Sequence, residues 1–274
     1  MTSAAPATPR AAWAEGAPPV EFVRQSLAVA SAELRKVGRD PTELLTRAVQ
    51  PALWLVVFGQ VFSRIRAIPT GNVSYVEFLA PGILAQSVLF SAIFFGIAVI
   101  WERDLGVIHK LLVSPAYRGA LVMGKAISAG VRGLTQGVII YLLALLLGVR
   151  LQFTPGALVG VATAVMLGSA LFATFSLVVA CLVKTRERFM GIGQVMTMPL
   201  FFASNAIYPL DLMPHWLQLV ARANPLTYVV DLLRGLMIQG GHSLLGLGTD
   251  FGVQILAFVV LLLVASRLYP GLAR

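Results

Sequence analysis

FGVQILAFVVLLLVAS occupies residues 251–266 and contains no charged side chain. A second tract, LWLVVFGQVF at residues 53–62, has the same character. About 20 mostly apolar residues cover the roughly 30 Å hydrocarbon layer of a bilayer. The rest of the chain matches these tracts: of 274 residues, 58% are hydrophobic and 12% charged, with a mean hydropathy of +0.83. Soluble domains carry about twice that share of charge. The fold class is therefore all-α and polytopic in a membrane.

Six stretches qualify as transmembrane helices, at about residues 46–64, 79–100, 120–147, 157–182, 189–208 and 248–267. The third is long enough to tilt or to project beyond the lipid. The second opens at Ala80-Pro81-Gly82, where proline is tolerated at a helix start. Pro199 predicts a kink or break in the fifth. An even number of spans puts both termini on one side. That side collects fifteen Lys and Arg, including Arg24, Arg35, Lys36, Arg103, Lys110, Lys125, Lys184 and Arg186. The other side has five: Arg64, Arg66, Arg150, Arg222 and Arg234. The positive-inside bias makes both termini cytoplasmic. It also accounts for the net charge of +9 without invoking nucleic acid.

The proline-rich residues 1–20 read as a disordered cytoplasmic tail. The first 45 residues lack the basic flank and short apolar core of a secretory signal. Residues 21–41 interleave Phe22, Leu27, Val29, Leu34 and Val37 with Arg24, Arg35, Lys36 and Arg39. Their position just before the first span favours an amphipathic helix on the inner leaflet over an ordinary surface helix. The single cysteine, Cys181, excludes an intramolecular disulfide and sits in an apolar run as an inert thiol.

Between the second and third spans lies WERDLGVIHKLLVSPAYRGALVMGK, residues 101–125. Gly119, Gly124 and Lys125 have the spacing of a phosphate-binding loop. A true loop follows a buried strand and ends in Ser or Thr to reach magnesium. Here Ala126 occupies that position, no strand precedes, and the intervening residues are apolar. The match is small residues plus an interfacial lysine, not a nucleotide site. Upstream, Glu102, Arg103 and Asp104 precede a short helix with apolar Val107, Ile108, Leu111 and Leu112, ended by Ser114-Pro115. Physics alone leaves two roles open for it: lying on the bilayer, or docking into a groove of another protein.

FLAPGILA, the charged cluster with its short helix ending in Ser-Pro, and the late Asn-Pro-Leu-Thr-Tyr resemble the permease subunits of type-2 ABC exporters, above all the daunorubicin-resistance and nodulation lipo-oligosaccharide permeases. The resemblance covers about residues 45–267. It implies that the segment from Glu102 to Ser114 couples to a separate ABC ATPase, which binds ATP and Mg while this chain holds no cofactor. It implies two ATPase subunits, a second and identical permease subunit, and cargo export across a bacterial inner membrane. It places residues 209–240 at the outer face as short re-entrant helices, marked by Asn224, Pro225, Leu226, Thr227, Tyr228, Asp231 and Arg234.

The residues themselves agree with a segment that does not span. Burying Arg222, Asp231 and Arg234 in lipid costs several kcal/mol each unless they are paired. Asp231 and Arg234, three apart, are placed to pair on one helix face, an arrangement an exposed loop helix would also permit. Polar and aromatic side chains within the spans are candidates for the cargo path: Gln60, Gln86, Phe90, Phe94, Arg132, Gln136, Gln194, Thr197 and Asn205. Helix–helix packing is the competing role for each. Gly133/Gly137 and Gly156/Gly160 have GxxxG spacing and favour packing within the chain over a dimer seam.

Enzyme motifs are lacking. His109, His215 and His242 are far apart without metal spacing, and neither GxSxG nor CxxC occurs. The sequence thus reads as the permease of an ATP-driven exporter of a hydrophobic or amphipathic substrate, with membrane lipids around it. The alternatives are a membrane scaffold independent of any ATPase, and a membrane-embedded lipid-modifying enzyme.

Overall fold

The computed structural model describes residues 19–39, 46, 49–65, 68–70, 73–108, 111, 116–183 and 185–273. The proposed tail falls outside them except for Pro19 and Val20, which already belong to the first helix. Nine helices are described: α1 (Pro19–Arg39), α2 (Val49–Ile65), α3 (Tyr75–Asp104), α4 (Arg118–Leu146), α5 (Pro155–Leu182), α6 (Arg186–Phe202), α7 (His215–Ala223), α8 (Pro225–Met237) and α9 (Leu247–Leu268). Short 3-10 turns occupy Leu210–Leu212 and Tyr269–Ala273.

Four helices, α3, α4, α5 and the last from Leu247 to Gly271, are long and apolar enough to cross a bilayer. The chain is an all-α polytopic membrane protein. α3 and α5 form the centre of the bundle. α3 is buried around most of its circumference, and α5 packs against α3, α4, α8 and α9. α9 is the reverse case: Ile255, Leu256, Val260 and Leu263 are exposed along an almost wholly apolar surface, which suits contact with lipid. α1 lies along α4.

Local chemistry sets the helix starts. Ser74 and Glu77 form a reciprocal capping box: the Ser74 hydroxyl accepts from the Glu77 amide, and Glu77 Oε2 accepts from the Ser74 amide at 2.7 Å. The box starts α3 at Tyr75, so Pro81 lies inside the helix and not at its beginning as the sequence suggested. Thr154 caps α5 with Pro155 in its first turn, and Thr185 caps α6. At the far end, an isolated antiparallel bridge between Leu151 and Ile238 ties the α4–α5 loop to the end of α8. Glu77 reaches the same loop: its Oε1 accepts from Arg150 Nε at 2.9 Å, which pushes the exposed Arg150 guanidinium up.

Two features depart from regular spans. In α2, Trp54–Phe58 is a π turn, and Trp54, Phe58 and Phe62 stack in a row with centroids 4.3 and 5.8 Å apart. α6 ends at Phe202, three residues after Pro199, six short of the expected boundary. Residues 203–209 continue without helix. The glycines also sort themselves. A Cβ on Gly133 would collide with the Ser169 side chain of α5, and one on Gly160 would press on Leu236 of α8. Gly156 faces open space and Gly137 touches only Leu84, at 4.0 Å, so close packing uses one glycine of each pair.

Candidate functional site

At the end of α3 that leads into residues 105–117, the structure differs from a free-standing charged helix. Glu102, Arg103 and Asp104 form the last turn of α3, which closes at Leu105 and turns through Gly106 in the left-handed region (φ 70°). Glu102 points inward, its Oε2 2.6 Å from Lys125 Nζ of α4. Arg103 donates to the carbonyl of Val183 at 3.1 Å and meets Asp104 at 3.2 Å. Asp104 pairs with Arg186 of α6 at 2.8 Å, and the Arg186 guanidinium lies 4.2 Å over the Trp101 ring. The charges thus stitch the α3–α4 loop to the α5–α6 loop. Ile108 is fully buried and Leu111 packs on the core, whereas Trp101 (51%) and Leu105 (71%) are exposed. Leu112 lies outside the described residues, as do Ser114 and Pro115.

Lys125 explains the false phosphate-loop pattern. Expected at the membrane interface, it is 2% exposed and bridges Glu102 to Glu33 of α1, whose Oε1 is 3.0 Å from its Nζ. Arg132 closes the group at 3.9 Å from the other Glu33 oxygen. Lys125 and Arg132 both lie over the Phe95 ring, at 5.5 and 5.7 Å. Gly124 lets α1 approach: a Cβ there would sit 2.6 Å from the Ser26 carbonyl oxygen, and Gly119 similarly faces Phe22. Among the described residues, two cations and two carboxylates share this largely desolvated site; removing one member of such a set costs about 3–5 kcal/mol. Sequence reasoning missed Glu33. Its signal was a lone mid-helix acid among the basic residues of 21–41.

Toward the opposite end, Asn224 organises the 200–226 region. Its side-chain oxygen accepts from the Leu226 amide at 3.0 Å, capping α8, where Pro225 follows. Its amide nitrogen donates to the carbonyls of Leu200 and Ala203, left free where α6 stops. Asn224→Ala is expected to cost about 2–4 kcal/mol by losing a cap and stranding two carbonyls. A fall in melting temperature of the detergent-purified protein checks it.

Leu226 and Thr227 are fully buried, and Tyr228 donates to the Arg222 carbonyl at 2.7 Å. Asp231 and Arg234 do not form the direct pair the spacing suggested. Asp231 Oδ2 accepts from Ser243 Oγ at 3.1 Å and the Leu245 amide at 2.9 Å. Arg234 donates to the Asn205 carbonyl at 2.8 Å and stacks 3.8 Å from the Phe78 ring. Each instead fastens α8 to a different neighbour. At 13 residues, α8 is about 20 Å long, too short to cross a bilayer.

The structure gathers four path candidates. Phe90, Phe94, Gln194 and Thr197 line a groove of about 190 Å³ between α3 and α6, with Gln50 at its edge. The others lie elsewhere. Gln136 accepts from Ser87 at 3.0 Å within the core, Gln86 and Asn205 are buried, Arg132 belongs to the Lys125 cluster, and Gln60 is exposed on α2.

A family model described as ABC-2 type transporter matches residues 24–238. The chain belongs to the ABC-2 type transporter family. The ycf38 transport permease of Cyanophora paradoxa is 30% identical over 215 residues, 78% of this chain and 74% of its own. The daunorubicin resistance ABC transporter permease protein DrrB1 of Streptomyces coeruleorubidus is 26% identical, covering 72% and 69% of the two chains. Nodulation protein J of Rhizobium leguminosarum bv. trifolii is 26% identical, covering 79% and 81%. The protein is thus a membrane permease subunit of an ABC-type transporter. The matched region includes α1 from Arg24 onward, so the helix carrying Glu33 lies within the family's shared domain. Among the described residues no group of three or more His, Cys, Asp or Glu is placed to hold a metal ion.

Proposed function

We propose that this permease exports a hydrophobic or amphipathic molecule, powered by a separate ABC ATPase that meets it at the surface formed by the α3–α4 and α5–α6 loops. The observation that carries this reading is the pair of contacts Asp104–Arg186 and Arg103–Val183, which fasten the end of α3 to the junction of α5 and α6 beside the exposed Trp101 and Leu105. Cross-linked helix ends with exposed apolar anchors suit a docking groove on a partner.

In this reading the domain at residues 46–267 makes six spans, the first and fifth from α2 and α6. Each has 17 residues, about 26 Å, and fits a locally thinned bilayer. α1 lies at the inner leaflet, residues 268–274 end in the cytoplasm, and both termini face inward in a bacterial inner membrane. α7 and α8 form the outer re-entrant element, with Trp216 exposed at the outer interface. Two copies of the permease pair with two ATPase subunits. The groove of Phe90, Phe94, Gln194 and Thr197, mostly apolar with a few polar groups, suits an amphipathic cargo. The cargo class also follows the names of the relatives, a daunorubicin resistance permease and a nodulation protein.

Mild-detergent purification of the chain from its native membrane, followed by mass spectrometry, tests the reading. A stoichiometric ATP-binding subunit is expected. Recovery of this chain alone from intact, monodisperse material would remove the ATPase-driven reading.

A further inference from the structure

The Lys125 cluster lies directly behind the proposed docking patch. Lys125 Nζ touches carboxylates from two different helices, Glu33 of α1 at 3.0 Å and Glu102 of α3 at 2.6 Å. Its side chain is 2% exposed, and those of the two acids are 10% and 13% exposed. Glu102 is two residues from Asp104, which locks the α5–α6 loop through Arg186. A displacement of the docking patch therefore meets, within one turn of helix, a buried ionic bond to α1. The backbone contact at Gly124 and Ser26 leaves α1 no room to slide inward independently.

We propose that Lys125 is a positioning residue for transport: by bridging Glu102 to Glu33 it makes the docking patch and α1 move as one body when the ATPase closes. This rests on the reading that the ATPase meets the α3–α4 loop. Paired charges in a desolvated site resist separation, because parting them takes from the buried Lys125 ammonium the carboxylates that compensate it. The bridge transmits motion from the end of a spanning helix to a helix lying along α4, and so couples nucleotide state to the position of α1.

The test uses the permease–ATPase complex in lipid nanodiscs, with spin labels at the exposed positions Ser31 on α1 and Glu187 in the first turn of α6, next to Arg186, in a Cys181→Ser background. Pulsed electron-spin distances are measured without nucleotide and after trapping with ATP and vanadate. In otherwise unaltered protein the distance is expected to be narrow and equal in both states. In Lys125→Met it changes between states, and permease-dependent stimulation of ATP hydrolysis falls about tenfold. Lys125→Arg, which can still bridge two carboxylates, restores both readouts.

If Lys125→Met does not fold, the quadruple variant Lys125→Met/Arg132→Met/Glu33→Gln/Glu102→Gln, which neutralises all four described members of the cluster together, is read in its place. A Ser31–Glu187 distance that differs between states in the complex with Lys125 intact overturns the proposal. So does a variant whose distances and stimulation match the unaltered complex. Failure of the docking reading is separate: there, no ATPase is retained by the unaltered, unlabelled permease, or Leu105→Glu retains it at the original ratio.

Discussion

Gly82→Val is expected to leave almost no folded permease. Gly82 sits two turns into α3, and a Cβ there would lie 2.9 Å from the carbonyl carbon and Cα of Ala206, closer still to its carbonyl oxygen. Those are backbone atoms in the segment that follows the broken end of α6, whose carbonyls Asn224 already fastens. They have no rotamer through which to retreat. Overpacking against fixed backbone costs about 3 kcal/mol or more. The measurement is the yield of monodisperse protein on size exclusion, followed by thermal unfolding of what is recovered. Gly137→Ala is the matched control: its nearest neighbour is Leu84 Cδ1 at 4.0 Å, so the added methyl finds space. Replacing glycine in a helix then leaves stability within about 1 kcal/mol of the starting protein or raises it.

Leu105→Glu is expected to release the ATPase while leaving the permease folded. Leu105 is 71% exposed at the end of α3, beyond the charges that hold the patch together. A carboxylate at a central apolar anchor costs about 2 kcal/mol or more of binding, a loss of roughly thirtyfold in affinity. Co-purification against an unchanged melting temperature measures it. Retention of the ATPase at the original ratio would move the docking surface away from this loop. Glu102→Ala is a poorer probe of the same idea, because Glu102 faces Lys125 and its removal disturbs the interior.

The sequence made the apolar helices legible because lipid imposes one demand on every residue that faces it, and residues 255–265 answer it without exception. The groove was partly legible for a similar reason. Phe90 and Phe94 are four apart, and Gln194 and Thr197 three apart, so each pair shares a helix face. The start of α3 was also written in the chain, as the Ser-Tyr-Val-Glu of a capping box, but Pro81 suggested a later beginning. The Lys125 bridge was not legible. Glu33 and Lys125 are 92 residues apart, and a lysine at the start of a span looks the same whether it snorkels to water or turns to a buried carboxylate. The same holds for Asp231 and Arg234. Their spacing permitted a pair, and the positions of Ser243 and Asn205 decided otherwise.

The π turn at Trp54–Phe58 gives α2 one residue of slack. Converting it to ordinary helix exchanges longer-range backbone bonds for shorter ones and leaves the ladder continuous. The side chains on one side of the turn would then swing by about 100° and shift along the axis by about 1.5 Å relative to the other side. The stacked rings of Trp54, Phe58 and Phe62 straddle that joint. The π turn is therefore what aims the aromatic edge of α2: the extra residue sets the direction in which Trp54, Phe58 and Phe62 line up beside α3.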